Sequence, residues 1–132
     1  EAISRNQKVI ICPKRNSAIG CQNSQFWNEY ELQVFIDVDG SNDRNAGDTL
    51  LKTFPAIDVT GEQTQFVCSS TNCPNKLVFN AMGFSQSALR LDIHTVKASD
   101  TDYEFKYGRS LCLSKPGRIR VIPYSANACT SF

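Results

Sequence analysis

The chain has little of what acid–base or metal chemistry uses: one histidine, one methionine and one tryptophan in 132 residues. No CxxC or CxxH pair occurs, so zinc finds no ligand set, and the lone His94 cannot supply one. GxSxG, HExxH and the phosphate-cradling GxxxxGKS/T are all missing, which removes the common hydrolase, metalloprotease and nucleotide-binding readings. Period 2 places His94 beside Arg90 and Asp92 on a polar strand face, where it reads as a surface residue. The acids are scattered across turns, with no pair marked as sharing a pocket. These absences predict a protein that is not an enzyme and has no cofactor or metal. No run approaches the ~20 apolar residues that a membrane-crossing helix needs. The chain opens at Glu1 without methionine, as a processed or truncated product would.

Acidic residues are also missing where they would be conspicuous. From Phe105 to the C-terminus there are five bases (Lys106, Arg109, Lys115, Arg118, Arg120) and no acid. Residues 2–28 hold four bases and no acid, whereas 29–104 hold twelve acids against five bases. The net charge of +1 therefore hides an acidic middle between two basic ends. A polyanion would be repelled by the middle and held only by the ends.

Cysteine is plentiful. Cys12, Cys21, Cys68, Cys73, Cys112 and Cys129 form an even set, read as three disulfides in an oxidising compartment, the periplasm or beyond. The alternative is a cytosolic protein with buried free thiols. Six cysteines allow fifteen pairings and sequence does not choose among them, but separations of nine, five and seventeen favour closure between neighbours.

Short strands bounded by Gly, Ser, Asn and Pro dominate the rest. They are expected at 8–12, 31–38, 49–54, 65–68, 76–79, 88–94, 103–107, 109–113 and 118–122. In the second, Leu32, Val34 and Ile36 share one side. In the sixth, Leu89, Leu91 and Ile93 oppose Arg90, Asp92 and His94. No βα alternation or repeat appears, so the sheets are antiparallel and the chain is one domain. Residues 1–7 read as the last turns of a helix. The Asp-rich loop 37–48 invites calcium, but the EF-hand register fails: the glycine required at its sixth position is Asn42. The last two strands form a hairpin around Lys115-Pro-Gly117, with Arg118 and Arg120 on one face and Ile119 and Val121 on the other. Two adjacent guanidiniums can fork onto neighbouring phosphates. A solvated hairpin face is the plainer reading.

Three stretches, in this order, resemble a known family. Glu1-Ala-Ile-Ser-Arg-Asn-Gln-Lys-Val-Ile-Ile-Cys12 is similar to the run SEAIxRNxxVxxC, which ends the long helix and opens the head of minor type IV pilins of the FimT, FimU and GspH kind. Trp27 and then Phe35-Ile-Asp-Val-Asp-Gly-Ser-Asn-Asp-Arg-Asn-Ala-Gly-Asp-Thr-Leu-Leu51 resemble their strand–loop–strand hairpin. Gly108 to Val121, containing Gly117-Arg-Ile-Arg120, resembles their terminal hairpin. Together these cover roughly half the chain. The resemblance implies an α+β pilin-like head, residues 1–132, in which the end of an N-terminal helix (1–7) packs on disulfide-stapled antiparallel sheets (8–132). It implies an inner-membrane prepilin of a Gram-negative bacterium, touching membrane only through the upstream helix and then joining other pilins in an extracellular fibre. The GRxR match implies weak DNA binding during transformation through Arg118 and Arg120, with Lys115 and Arg109 as neighbours. The alternatives are a purely structural FimU-type priming subunit, a type II secretion pseudopilin and, from another class, a secreted adhesin or lectin-like β module.

Overall fold

The computed structural model describes residues 2–24, 26–57, 63–68, 75–96, 108–125 and 129, with side chains undescribed at 63–68 and 94–96. The helix end is α1 (Ala2–Arg5). Asn6 stops it in the left-handed region at φ 50°. There the Asn6 N–H bonds to the Ile3 carbonyl and the Gln7 N–H to the Ala2 carbonyl, both at 3.2 Å. That pattern is a Schellman stop with Asn in glycine's usual place.

Among the described residues the strands are β1 (Val9–Pro13), β2 (Leu32–Ile36), β3 (Thr49–Phe54), β4 (Gln63–Cys68), β5 (Leu77–Phe79), β6 (Leu89–Val96), β7 (Arg109–Leu113) and β8 (Ile119–Pro123). They form two antiparallel sheets, in the orders β3-β2-β1-β5 and β4-β6-β7-β8. Expected and observed strands agree in place, with ends moved by one or two residues. A short 3-10 turn at Trp27–Glu29 carries no periodic signal and was not anticipated. The strand expected at 103–107 and the Cys68–Cys73 closure lie outside the described residues, as does the side chain of His94.

Leu32, Val34 and Ile36 share one side of β2 as expected, but the opposite side is the more deeply buried. Leu32 and Val34 are only half-buried, while Gln33 and Phe35 on the opposite side are completely buried. Phe35 packs with Ile10, Cys12, Cys21 and Val78, a core closed by the Cys12–Cys21 disulfide. The buried Gln33 donates from Nε2 to the Gly20 carbonyl at 2.8 Å. Arg44 reaches its Oε1 at 3.4 Å. On the other face Ala2 of α1 sits with Val9 and Ile36, flanked by Val34, Leu51 and Phe79. Leu51 reaches this cluster because a bulge opposite Val34 and Phe35 leaves it outside the ladder.

In the second sheet the register aligns two apolar rows, Leu89–Leu113–Ile119 and Leu91–Leu111–Val121. Leu89 and Leu113 are buried against Leu77, Phe79 and Leu91, joining the two sheets. The other face carries Arg90–Cys112–Arg120 and Asp92–Ser110–Ile122. It is not simply solvated, as the alternation in 88–94 suggested. Asp92 is 2% exposed, bonded by Arg90 Nε at 2.8 Å and the Ser110 hydroxyl at 2.6 Å. Arg90 also donates to the Ser125 carbonyl at 2.7 Å and lies over the Tyr124 ring. Together with the Cys112–Cys129 disulfide, this holds the C-terminal segment against the sheet.

Candidate nucleic-acid interface

The β7–β8 hairpin is shaped by its turn. The Gly117 N–H bonds to the Ser114 carbonyl at 2.9 Å, and the Ser114 N–H to the Arg118 carbonyl at 3.0 Å. Gly117 has φ 83°, which the Pro-Gly sequence anticipates. A second turn, residues 80–85, braces the first. The Ser85 N–H donates to the Lys115 carbonyl at 2.9 Å, and the Gly83 carbonyl lies where a Cβ on Gly117 would fall.

Arg118 and Arg120 are exposed, and among the described residues neither pairs with an acid. Arg120 shares the Arg90 and Cys112 face, and Arg118, two residues earlier, alternates to the same side. Lys115 is exposed at the turn. Arg109 does not join them. It lies opposite Ile93 and Pro123 at the far end of the hairpin, on the face of the apolar rows, and its Nη1 donates to the Gly108 carbonyl at 2.8 Å. The expected quartet is therefore a trio with Arg109 set apart. Arg90, which sequence reading placed on a solvated face, belongs to the same row as Arg120 but spends its guanidinium on Asp92 and the C-terminal segment. Only the cross-strand register exposes that role.

Ile119 and Val121 are 63% and 57% exposed, because β8 is an edge strand of its sheet among the described residues. They extend an apolar surface that continues over the first sheet. One hollow of about 420 Å³ is lined by Trp27, Tyr30, Leu32, Phe54, Ile57 and Leu91. Another, of about 350 Å³, lies beside Ala2 and Ile3 over Val9, Ile11, Val34 and Phe79. Leu32 and Val34, two residues apart on one side of β2, line one hollow each, so both open on the same face of the first sheet, the second as an apolar groove beside α1.

Among the described acids of the middle segment Asp37 and Asp92 are buried, while Glu29, Glu31 and Asp39 are exposed. Asp37 pairs with Lys8 at 3.0 Å, and Glu31 with Lys14 at 2.6 Å. Asp37, Asp39 and Asp48 bring carboxylate oxygens within 4.8 Å of one another. Each oxygen already accepts a hydrogen bond. Asp37 takes the N–H groups of Gly40 and Asn42, Asp39 the Ser41 N–H and the Asn45 amide, and Asp48 the N–H groups of Val38 and Asn45. The Ser41 N–H and hydroxyl, ahead of the Asn45 amide, hold the Asp39 carboxyl below the usual carboxylate range. The trio therefore works as a hydrogen-bonded knot that shapes the loop.

Comparison with known proteins agrees with this architecture. The family described as type II transport protein GspH matches residues 1–117. No curated protein matches the chain. Two crystal forms of the Pseudomonas aeruginosa (strain PAO1) type IV minor pilin FimU superpose on it. The P65 form does so at TM-score 0.58 and 20% identity, over 93% of this chain and 79% of that one. The P21 form gives 0.59 and 18%, over 93% and 75%. No described helix is long and apolar enough to cross a membrane. A capped helix end on antiparallel sheets, the motif order and the matched span agree: the chain belongs to the GspH family and has the fold of the minor pilin FimU.

Proposed function

We propose that this head belongs to a minor pilin that is made as an inner-membrane prepilin, joins other pilins in an extracellular fibre, and holds DNA weakly through Arg118, Arg120 and Lys115. One observation carries the ligand half. Two exposed arginines, unpaired among the described residues, stand two positions apart at an edge strand beside a braced turn, while the buried acids Asp37 and Asp92 are paired with Lys8 and Arg90. Guanidiniums so placed can each take a phosphate oxygen pair without reading sequence. The apolar groove supports the fibre half, as the seat for a longer helix of which Ala2–Arg5 is the end. Arg109, set apart from the trio, has no part in this contact.

The test is fluorescence anisotropy of labelled duplex DNA across a salt series. Three phosphate contacts give a slope of log affinity against log salt of about −3, falling to about −1 in Arg118→Ala/Arg120→Ala. Superimposable curves for the two proteins would reject the DNA role. A second reading, a structural priming subunit or secretion pseudopilin, is favoured by the size of the groove and would survive that result.

A further inference from the structure

The turn at residues 80–85 is organised almost wholly by its backbone and by one side chain. Asn80 Oδ1 accepts the N–H groups of Met82 and Phe84, both at 3.0 Å. The Gly83 N–H returns to the Asn80 carbonyl at 2.9 Å, and the Asn80 N–H bonds to the Phe84 carbonyl at 3.0 Å. Through Ser85 and Gly83 the turn is fixed to Lys115 and Gly117. Nothing in this scheme needs an aromatic ring at position 84, yet Phe84 is there and 45% exposed. Gly83 meets Ile3 of α1, so that side of the turn belongs to the groove. Phe84 lies between Gly83, whose carbonyl meets Gly117, and Ser85, bonded to Lys115, so its backbone runs beside the turn of the basic hairpin.

We propose that Phe84 is a stacking platform that fits this interface to unpaired nucleotides, such as a single-stranded stretch or a frayed end; the inference rests on the DNA reading above. An aromatic face beside guanidiniums is the combination that binds single strands without sequence preference, because every base has a π face. In an intact duplex those faces are covered by neighbouring bases, and the ring adds nothing. Arg118 and Arg120, about 7 Å apart along the strand, then hold the backbone of the nucleotides whose base rests on the ring.

Anisotropy with labelled oligothymidylate and with a duplex of equal length tests this on the 132-residue chain, using wild type, Phe84→Leu, Phe84→Tyr and Arg118→Ala/Arg120→Ala. Thermal unfolding verifies that each variant is folded. Phe84→Leu is expected to weaken oligothymidylate binding about five-fold or more and leave the duplex unchanged, with Phe84→Tyr restoring it. The double arginine variant is expected to weaken both. Unchanged single-strand binding in Phe84→Leu, or an equal loss on both DNAs, overturns the stacking role and leaves the phosphate contact standing; the ring then belongs to a protein contact. Wild-type binding to the duplex but not to oligothymidylate overturns it in the same way. Binding to neither removes both readings.

Discussion

Replacing Gln33 with leucine tests the account of the first sheet where it is most exposed to error. The side chain is completely buried between β1 and the neighbouring loops, and leucine fits its space approximately. Besides a weak 3.4 Å contact to the Cys12 Sγ, two interactions disappear. One is the 2.8 Å bond to the Gly20 carbonyl, which keeps a partner in the Arg15 N–H, so its loss costs about 1 kcal/mol. The other is the longer contact from Arg44, whose Nε is already buried without a partner. Stripping a second contact from a part-buried cation costs about 1–3 kcal/mol. The added apolar burial returns about 1 kcal/mol, leaving a net loss of about 2 kcal/mol. Urea unfolding followed by tryptophan fluorescence should show the midpoint falling by about 1 M, with little change in slope. The pairing is then isolated by a cycle with Arg44→Met, which should cost less in the leucine background than in wild type. Strict additivity, or a leucine variant as stable as wild type, would refute the claim that this amide is the polar hub of the core.

Cys112→Ser/Cys129→Ser should cost about 3 kcal/mol by the loop-closure argument and make the C-terminal segment the first site of limited proteolysis; unchanged melting and cleavage would contradict it. Gly117→Ala places a Cβ in the left-handed region against the Gly83 carbonyl and should lose at least about 1–2 kcal/mol in chemical denaturation, whereas Gly40→Ala, with open space around it, should lose less. Asp39 titrates below its unfolded value of about 3.9, so its contribution is complete above that pH and disappears as pH falls through the lower, folded value. Carboxyl NMR showing an Asp39 midpoint at or above 3.9 would contradict the hydrogen-bonded loop.

Strands were legible where period 2 and turn residues coincided. Thr49–Phe54 and Arg109–Leu113 fall at the expected bounds because Pro, Gly or Asp punctuates them closely. The disulfides Cys12–Cys21 and Cys112–Cys129 follow the short-loop argument. Alternation alone misjudged which polar residues meet water. Gln33 and Asp92 occupy polar positions in their strands yet are buried, because loops and the C-terminal segment cover those faces and offer partners. One strand's sequence cannot report what another segment lays over it. The site divides in the same way. Arg118, Arg120 and Lys115 were found from charge and turn chemistry. The displacement of Arg109 depends on cross-strand register, and the bracing by residues 80–85 on a contact between distant turns.

The position of β1 bears on how such a head would carry tension. It follows α1 directly and is hydrogen-bonded to a neighbour on each side, antiparallel to both β2 and β5. A pull entering at Ala2 along that strand would load two ladders in shear at once, so many bonds must yield together instead of one at a time. The staple from Cys12 to Cys21 shortens the length of chain that any such yielding could release.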